Sequence, residues 1–284
     1  MTSLPEISLY EACEMGNIEY IHYLLDKGAN PNKRFRGAYR CLHIACIVGF
    51  TDCVEVLLKR GANPNKKNCR GNTPLHLVCE NGEIECLRLL LRYKDELDID
   101  IDVKNNFEET PLWFACNKNN WECAQLLLEH GAAPNRTAMY EITPLHTACY
   151  MGNTKCVRVL LKHGADPNQT NRMRETPLWL ACGRNNPNCV RVLLENNAQP
   201  NKIVYKKQTP LHIACIKGNM ACIRILLSYD TVKRSLKNRY GKTPLELARE
   251  NGHRQCARVM ARYRRKRSRS PESYDIPVKR TRTK

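Results

Sequence analysis

Short apolar segments alternate with polar turns along most of the chain. In residues 143–168 the first segment places Leu145, Ala148 and Cys149 at positions i, i+3 and i+4, which puts them on one face of a helix. A second apolar segment covers residues 156–161, and a glycine follows each of the two. The pattern predicts two short helices. Neither can bury its apolar face alone, so the pair must pack against neighbouring pairs.

The residues around these segments mark where the helices begin and end. Thr143 is suited to cap the free amides at a helix start, and Pro144 fits the first helical position, where no N–H is needed. Gly152 and Gly164 follow the two segments. Glycine readily adopts the left-handed conformation that commonly ends a helix, so both helices are expected to stop there.

The same arrangement recurs at a nearly fixed spacing. Its copies start near residues 7, 40, 73, 110, 143, 176, 209 and 243. The leucine of each copy lies at Leu9, Leu42, Leu75, Leu112, Leu145, Leu178, Leu211 and Leu245. Successive leucines are 33, 33, 37, 33, 33, 33 and 34 residues apart. A period of about 33 residues predicts stacked repeats that share one continuous core.

The most complete copy reads Thr-Pro-Leu-His-Thr-Ala from Thr143. With this motif the chain resembles ankyrin-repeat proteins over about residues 5–261. The resemblance implies an all-α solenoid of about eight helix–turn–helix repeats, joined by β-hairpin-like finger loops on the concave side. The first and last repeats are atypical, as end caps should be, because Tyr10 and Glu246 replace the motif histidine.

The resemblance also gives the motif histidine a structural role. In ankyrin-like repeats this side chain holds the neighbouring finger by a hydrogen bond to its backbone. The histidines in question are His43, His76, His146 and His212. Trp113 and Trp179 replace the histidine in the fourth and sixth repeats, and Asn119 and Asn185 replace the glycine that ends the helix there. Asparagine tolerates the left-handed conformation, so these two turns should survive.

The chain has 16 cysteines, of which fourteen occupy two repeating positions. One set follows the motif alanine: Cys13, Cys46, Cys79, Cys116, Cys149, Cys182 and Cys215. The other opens the second helix: Cys53, Cys86, Cys123, Cys156, Cys189, Cys222 and Cys256. Free cysteine packs as a small apolar side chain, so these are predicted core thiols. The alternative is a zinc site, but no Cys-x-x-Cys occurs, and no cofactor is expected.

Charge is concentrated at the C-terminal end. The formal net charge is +18, and residues 262–284 contribute +8 of it, which leaves +10 for residues 1–261. We therefore predict a repeat domain over residues 1–261 and a disordered basic tail over residues 262–284. No apolar run approaches 18 residues and the N-terminus lacks the features of a secretory signal, so neither a membrane span nor secretion is expected. Abundant reduced cysteine then implies a reducing compartment.

No arrangement of residues typical of catalysis is present, such as a phosphate-binding glycine loop or a nucleophile elbow, so we expect a non-enzymatic protein. Ankyrin-like scaffolds generally bind proteins with their finger tips and with the exposed side of the first helix. The predicted tip residues are Arg36, Arg70, Phe107, Met139, Tyr140, Arg172, Met173, Tyr205, Lys206, Arg239 and Tyr240. The predicted helix residues are Ile47, Val48, Tyr150, Met151 and Ile216. Both rows could instead be ordinary surface, or be covered by neighbouring repeats.

The basic tail contains a possible signal for subcellular localisation. Two basic clusters resemble a bipartite nuclear import signal, formed by Arg264, Arg265, Lys266, Arg267, Lys279, Arg280 and Arg282. We therefore expect an import receptor among the partners and residence in both nucleus and cytoplasm. Ser270 precedes a proline and resembles a phosphorylation site, where a phosphate beside the first cluster would weaken import.

Two other functions stay open at this point. The basic tail and fingers could contact nucleic acid in a salt-dependent way, although no nucleic-acid-binding fold is recognisable. The repeat style is also similar to that of ubiquitin-ligase substrate receptors that carry a SOCS box, but the 23 residues after Ala261 contain no such box. An inhibitor of a transcription factor is a further analogy at the level of the fold alone. We expect a monomer in each case.

Overall fold

The computed structural model describes residues 7–267, with side chains described for residues 7–263. This part of the chain forms eight pairs of short helices. They are α1 Leu9–Met15, α2 Ile18–Asp26, α3 Cys41–Val48, α4 Thr51–Lys59, α5 Pro74–Asn81, α6 Ile84–Arg92, α7 Pro111–Lys118, α8 Trp121–Glu129, α9 Pro144–Met151, α10 Thr154–Lys162, α11 Pro177–Gly183, α12 Pro187–Glu195, α13 Pro210–Lys217, α14 Met220–Ser228, α15 Pro244–Glu250 and α16 Arg254–Arg267. The predicted all-α repeat solenoid is confirmed.

The helices stack in two layers. Each odd-numbered helix contacts the next odd-numbered helix, and each even-numbered helix contacts the next even-numbered one. The motif leucines and alanines of the odd-numbered layer are buried between the layers; Leu112, Leu145 and Leu211, for example, are fully inaccessible to solvent. The core is therefore one continuous strip, and each repeat depends on its neighbours for burial.

The helix starts and ends follow the sequence pattern. The Thr143 hydroxyl accepts a hydrogen bond from the backbone N–H of His146 (3.2 Å), as expected of a cap. Gly152 ends α9 with φ +83°, and Asn119 and Asn185 adopt φ +66° and +60° at the equivalent turns. The predicted tolerance of asparagine in the left-handed conformation is confirmed.

In repeats four to seven, a second asparagine ties the repeat to the one before it. Its side-chain amide, at the start of the even-numbered helix, donates to the carbonyl of the cysteine that follows the motif alanine in the preceding repeat. These bonds run from Asn120 to Cys79 (2.9 Å), Asn153 to Cys116 (2.8 Å), Asn186 to Cys149 (2.8 Å) and Asn219 to Cys182 (2.7 Å). They satisfy the carbonyls at the ends of the odd-numbered helices, which would otherwise lack partners.

All fourteen cysteines in the two repeating positions are buried free thiols, which confirms their predicted packing role. Burial raises the thiol pKa of Cys123, Cys215 and Cys222 to about 12. These three side chains are consequently uncharged thiols at neutral pH. Cys69, on a finger, is exposed.

The four extra residues between the third and fourth repeats only partly form a solvated loop. Ile99 and Ile101 are buried in the core, although their neighbours Asp98 and Asp100 are exposed. Apolar and acidic residues alternate in this segment, so one side packs on the repeats while the other faces water.

The last helix extends beyond the predicted end of the repeat domain. It continues through Arg267, so the boundary predicted at Ala261 falls inside α16. The remaining predicted tail, with Ser270, Lys279, Arg280 and Arg282, lies outside the described residues. No helix in residues 7–267 combines the length and the apolar character needed to cross a membrane.

Candidate functional site

Seven finger loops lie between successive repeats and share one face with the odd-numbered helices, here called the inner face. Each finger is five residues long and is closed by a backbone hydrogen bond from its first residue to its fifth. The fingers are residues 35–39, 68–72, 105–109, 138–142, 171–175, 204–208 and 238–242, numbered one to seven. The predicted hairpin character is limited to these closing bonds and one isolated bridge, Ala138 to Ile142, because no strand forms in the described part of the chain.

Successive finger tips are joined through their backbones. An amide of one finger donates to a carbonyl of the finger before it. These bonds are Cys69 to Gly37 (2.8 Å), Asn106 to Arg70 (3.1 Å), Met139 to Phe107 (3.3 Å), Arg172 to Tyr140 (2.9 Å) and Arg239 to Lys206 (3.0 Å). Fingers one to five therefore form one connected edge along the inner face, and fingers six and seven form a second joined pair.

Fingers two, three, five and seven follow repeats that contain the motif histidine. In repeat five, His146 Nδ1 accepts from the N–H of Thr143 (3.3 Å) and from its hydroxyl (2.7 Å). Because Nδ1 accepts, the proton is on Nε2, which donates to the Glu175 carbonyl of finger five (3.1 Å). His76 and His43 bond in the same way to the carbonyls of Glu109 (3.2 Å) and Lys66 (3.0 Å).

The role that the resemblance gave to the histidine is thus confirmed for His76 and His146, whereas His43 bonds to Lys66, two residues before finger two. Burial of the ring lowers the pKa of each of these three side chains to about 4. His212 is also buried and its pKa is lowered by that burial, but its Nε2 has no hydrogen-bond partner in the described structure. His212 Nδ1 accepts from the N–H of Thr209, so Nδ1 carries no proton. The ring is therefore neutral, with its proton on Nε2.

Fingers one, four and six follow repeats in which an aromatic residue, Tyr10, Trp113 or Trp179, replaces the histidine. Their first residue is apolar: Phe35, Ala138 and Val204. The fingers after a histidine begin with asparagine instead, at Asn68, Asn105, Asn171 and Asn238. In the first repeat the reason is visible, because the rings of Tyr10 and Phe35 pack with centroids 4.5 Å apart. The indole N–H groups of Trp113 and Trp179 make no hydrogen bond to a finger in the described structure, and the apolar first residue matches the ring.

The two kinds of finger have different backbones. In an asparagine finger such as 105–109, the Asn105 side chain accepts from the N–H groups of Phe107 and Glu109 (both 2.9 Å), and one residue has positive φ. The other kind has two successive residues with positive φ at the tip. They are Gly37 and Ala38, Tyr140 and Glu141, and Lys206 and Lys207.

Tyr140 is the most unusual of these tip residues. A bulky side chain with φ +60° is uncommon and costs about 1 kcal/mol relative to glycine, which occupies the same place in finger one. Its ring is nonetheless 60% exposed, so the burial of apolar surface does not offset that cost. Strain of this kind combined with exposure is typical of functional positions.

A groove of about 490 Å³ lies on the inner face beside Tyr140, across repeats four to six. Its walls are largely apolar: Trp113 from α7, Tyr150 and Met151 from α9, Met173 from finger five, and Leu180 from α11, with Tyr140 and Ile142 from finger four. Asn117, His146, Thr147, Asn171 and Glu175 complete the lining. Tyr150, Met151 and Met173 are 41%, 51% and 64% exposed, so this apolar surface faces solvent.

The groove continues towards the C-terminal repeats and becomes charged. A second depression of about 680 Å³ shares Tyr150, Met173, Glu175 and Leu180 with the first. It adds Arg184 and Lys217, which end the inner helices of repeats six and seven, and Trp179, Gly183, Asn185, Ile213 and Asn219. The Arg184 guanidinium lies over the Tyr150 ring at 3.8 Å and connects the two parts.

The predicted partner-binding residues are thus divided. Tyr140, Met173, Tyr150 and Met151 come together around the first groove. The predicted tip residues Arg36, Arg70, Phe107, Met139, Arg172, Tyr205, Arg239 and Tyr240 are exposed elsewhere along the edge, Val48 is exposed on α3, and Lys206 is half-buried. Ile47 and Ile216 are half-buried, and Ile216 packs against the core, so the alternative of coverage by neighbours applies to Ile216.

Sequence reasoning did not select Trp113, Leu180 or Arg184 for the site. Trp113 was noted only as a replacement for the motif histidine, and that replacement was the signal, because it leaves an aromatic wall where the other repeats have a buried imidazole. Its Nε1 is buried and has no hydrogen-bond partner among the described residues, and the same is true of Trp179 Nε1. The two rings are therefore held by packing alone.

Comparison with known proteins agrees with this geometry. A family model described as "Ankyrin repeats (3 copies)" matches residues 42–138, 97–171, 134–204 and 200–269, and "Ankyrin repeats (many copies)" matches residues 9–58. The chain belongs to the ankyrin-repeat family. Ankyrin repeats are generally modules for protein–protein interaction, so protein partners are implied for this ankyrin-repeat chain. No curated protein matches the sequence significantly.

Proposed function

We propose that this ankyrin-repeat chain is a non-enzymatic scaffold that binds a segment of a partner protein in the apolar groove of repeats four to six. One observation carries the proposal: four exposed apolar side chains, Tyr140, Tyr150, Met151 and Met173, surround a single groove. Exposed aromatic and methionine side chains in a concave setting are characteristic of the residues that dominate binding energy at protein interfaces.

The construction of the groove supports the same function. Its floor consists of inner helices packed on the core, and its rim consists of fingers joined tip to tip, so the walls are held before a partner arrives. A preorganised surface loses less conformational entropy on binding than mobile loops would. Met151 and Met173 supply flexible apolar side chains that can adapt to a partner.

We predict that changing Tyr140, Tyr150 and Met173 together to alanine will abolish the recovery of partners that the unchanged protein captures from cells. The helices should be unaffected, because all three side chains are largely exposed. Truncating residues of this kind costs about 1–2 kcal/mol each, so affinity should fall by at least about tenfold. The measurement is quantitative affinity capture with mass spectrometry, with circular dichroism to check folding.

The matched control changes Met15, Tyr23 and Ile203 to alanine. These side chains are exposed to a similar degree, 53–56%, but lie outside the groove. Their replacement should leave partner recovery unchanged. Equal recovery by both triple variants would remove the groove from the binding site.

We also propose that the protein moves between cytoplasm and nucleus by means of its two C-terminal basic clusters, which an import receptor would recognise. The first cluster, Arg264–Arg267, ends the helix α16, whereas the second lies among residues 279–282. Deleting residues 268–284 removes the second cluster without cutting the helix. We expect this deletion to lower the nuclear fraction of a fluorescent fusion, and Ser270→Glu to lower it less; unchanged nuclear accumulation of the deletion would reject the proposal.

A further inference from the structure

The inner face becomes more basic from the third repeat to the seventh. Along the last turns of the inner helices, Glu80 lies in the third repeat, whereas Arg184 and Lys217 lie in the sixth and seventh. The fingers on the two sides of the groove change in the same direction. Fingers three and four carry Glu108, Glu109 and Glu141, whereas fingers five to seven present the cations Arg172, Arg174, Lys206, Lys207, Arg239 and Lys242.

Most of these cations form no ion pair among the described residues, although Lys206 and Arg239 lie over the rings of Tyr205 and Tyr240. Of the basic residues on fingers five to seven and in the second depression, only Lys242 forms an ion pair within the described structure, with Glu250. By contrast, Lys118, near the N-terminal end of the groove, pairs with Glu80 at 3.4 Å. The basic end of the groove is therefore unneutralised, and opposite charge from a partner would be favourable there.

Arg184 lies where the apolar and basic parts meet. One face of its guanidinium stacks on Tyr150, which limits its motion and leaves the N–H groups at its edge free. A planar guanidinium held in this way is suited to bind a carboxylate with two parallel hydrogen bonds. Lys217 lines the same depression one repeat further on.

We propose that the occupant of the groove is an acidic protein segment of about ten residues. Its apolar side chains would bind beside Trp113 and Tyr140, and its carboxylates would bind at Arg184 and Lys217. This inference rests on the proposed function of the groove. The length follows from three repeat steps of about 10 Å each, spanned by extended chain at about 3.3 Å per residue.

Charge also argues against other occupants. A nucleic acid carries a negative charge at every nucleotide, but Glu175 lines the apolar part of the groove, where such a strand would have to pass, and Glu141 lies on finger four between two lining residues. The chain's own residues 262–284 carry a net +8, so they are repelled by the basic end. A segment that is apolar at one end and acidic at the other matches both parts.

The test selects displayed random dodecapeptides on the full-length protein. We expect the recovered peptides to combine apolar residues at one end with aspartate or glutamate at the other. The variant Arg184→Glu with Lys217→Glu should instead recover lysine and arginine at that end. By fluorescence anisotropy it should bind the original peptides at least about tenfold more weakly.

The control variant Arg158→Glu with Arg191→Glu has the same net charge, but its substitutions lie on the outer helices α10 and α12. It should retain the original peptide preference. Acidic peptides bound equally by both charge variants would show a non-specific effect of net charge and overturn the inference, as would peptides without acidic residues. A single-stranded DNA 12-mer that competes with a selected peptide at equal or higher affinity would also overturn it.

The design separates failure of the inference from failure of the proposed function. If the Tyr140, Tyr150 and Met173 triple variant loses the selected peptides while the charge reversal does not, the groove binds protein segments and only the acidic preference is wrong. If neither variant weakens binding, or if no peptide is selected, both proposals are wrong.

Discussion

Lowering the pH from 6.5 to 5.5 should reduce the free energy of unfolding by roughly 3 kcal/mol through three buried histidines. His43, His76 and His146 have a folded-state pKa of about 4, against an ordinary value of 6.5 in the unfolded chain. Between these values the unfolded state binds more protons, so acid favours unfolding. The stabilisation is fully present above pH 6.5, is lost as the pH falls towards 4, and changes little below that.

The measurement is the urea midpoint as a function of pH, together with nitrogen NMR of the imidazoles. His146→Gln removes one of the buried histidines with a lowered pKa, of which His212 is a fourth, and should reduce the pH dependence by about a quarter to a third in this window. His22→Gln, at an exposed position on α2, should leave the dependence unchanged. A midpoint that is constant between pH 6.5 and 5.5, or a native His146 that titrates near 6.5, would contradict the explanation.

Asp102 and Glu109 have the opposite effect on the pH dependence of stability. Burial raises the pKa of both carboxyl groups, so each contributes stability that is fully present below its ordinary pKa and is lost as the pH rises through its raised folded pKa. As the pH falls, these two groups therefore add stability and cannot cause the loss expected from the histidines. The loss of stability between pH 6.5 and 5.5 is therefore attributable to the histidines.

The repeat fold was predictable because its determinants are local. The threonine caps, the left-handed glycines and the buried leucines each act within a few residues, and their period repeats them along the chain. The end of α16 was not predictable in the same way. Residues 262–267 are rich in arginine and lysine, which form helices readily once a preceding turn exists, and charge alone suggested disorder.

The groove was only partly predictable because it depends on distances between repeats. The sequence indicated Tyr140, Tyr150, Met151 and Met173 as exposed apolar residues, but it also indicated many others in the same rows. Only the stacking of repeats four to six shows which of them face one another. Arg184 was passed over because its contact with Tyr150 joins two repeats and leaves no local signal.

The correlation between the finger type and the residue at the histidine position is likewise visible in the sequence, but its cause is visible only in the fold. The two positions are about 25 residues apart, and the bond from His146 to Glu175 spans 29 residues. In the structure they touch, and one choice dictates the other. A donor at the helix is matched by a finger organised around asparagine, and an aromatic ring is matched by an apolar first residue.

This pairing predicts strong coupling between His146 and Asn171. His146→Trp should destabilise the fold by about 2–4 kcal/mol, because the Glu175 carbonyl loses one of its two donors and a larger ring is forced against a polar side chain. Asn171→Ala should cost about 1–2 kcal/mol, since Asn171 Oδ1 accepts from the N–H of Glu175 at 2.9 Å.

Together the two changes recreate the combination found at Trp113 and Ala138. The loss of unfolding free energy in the double variant should therefore be smaller than the sum of the two single losses by about 1–2 kcal/mol. The measurement is a double-mutant cycle in urea. Combining His146→Trp with Asn238→Ala, which lies in a different repeat, provides the matched control and should be additive. If the losses for His146 and Asn171 were also additive, the coupling free energy between the two residues would be zero. The finger conformation would then be set independently of the inner helix.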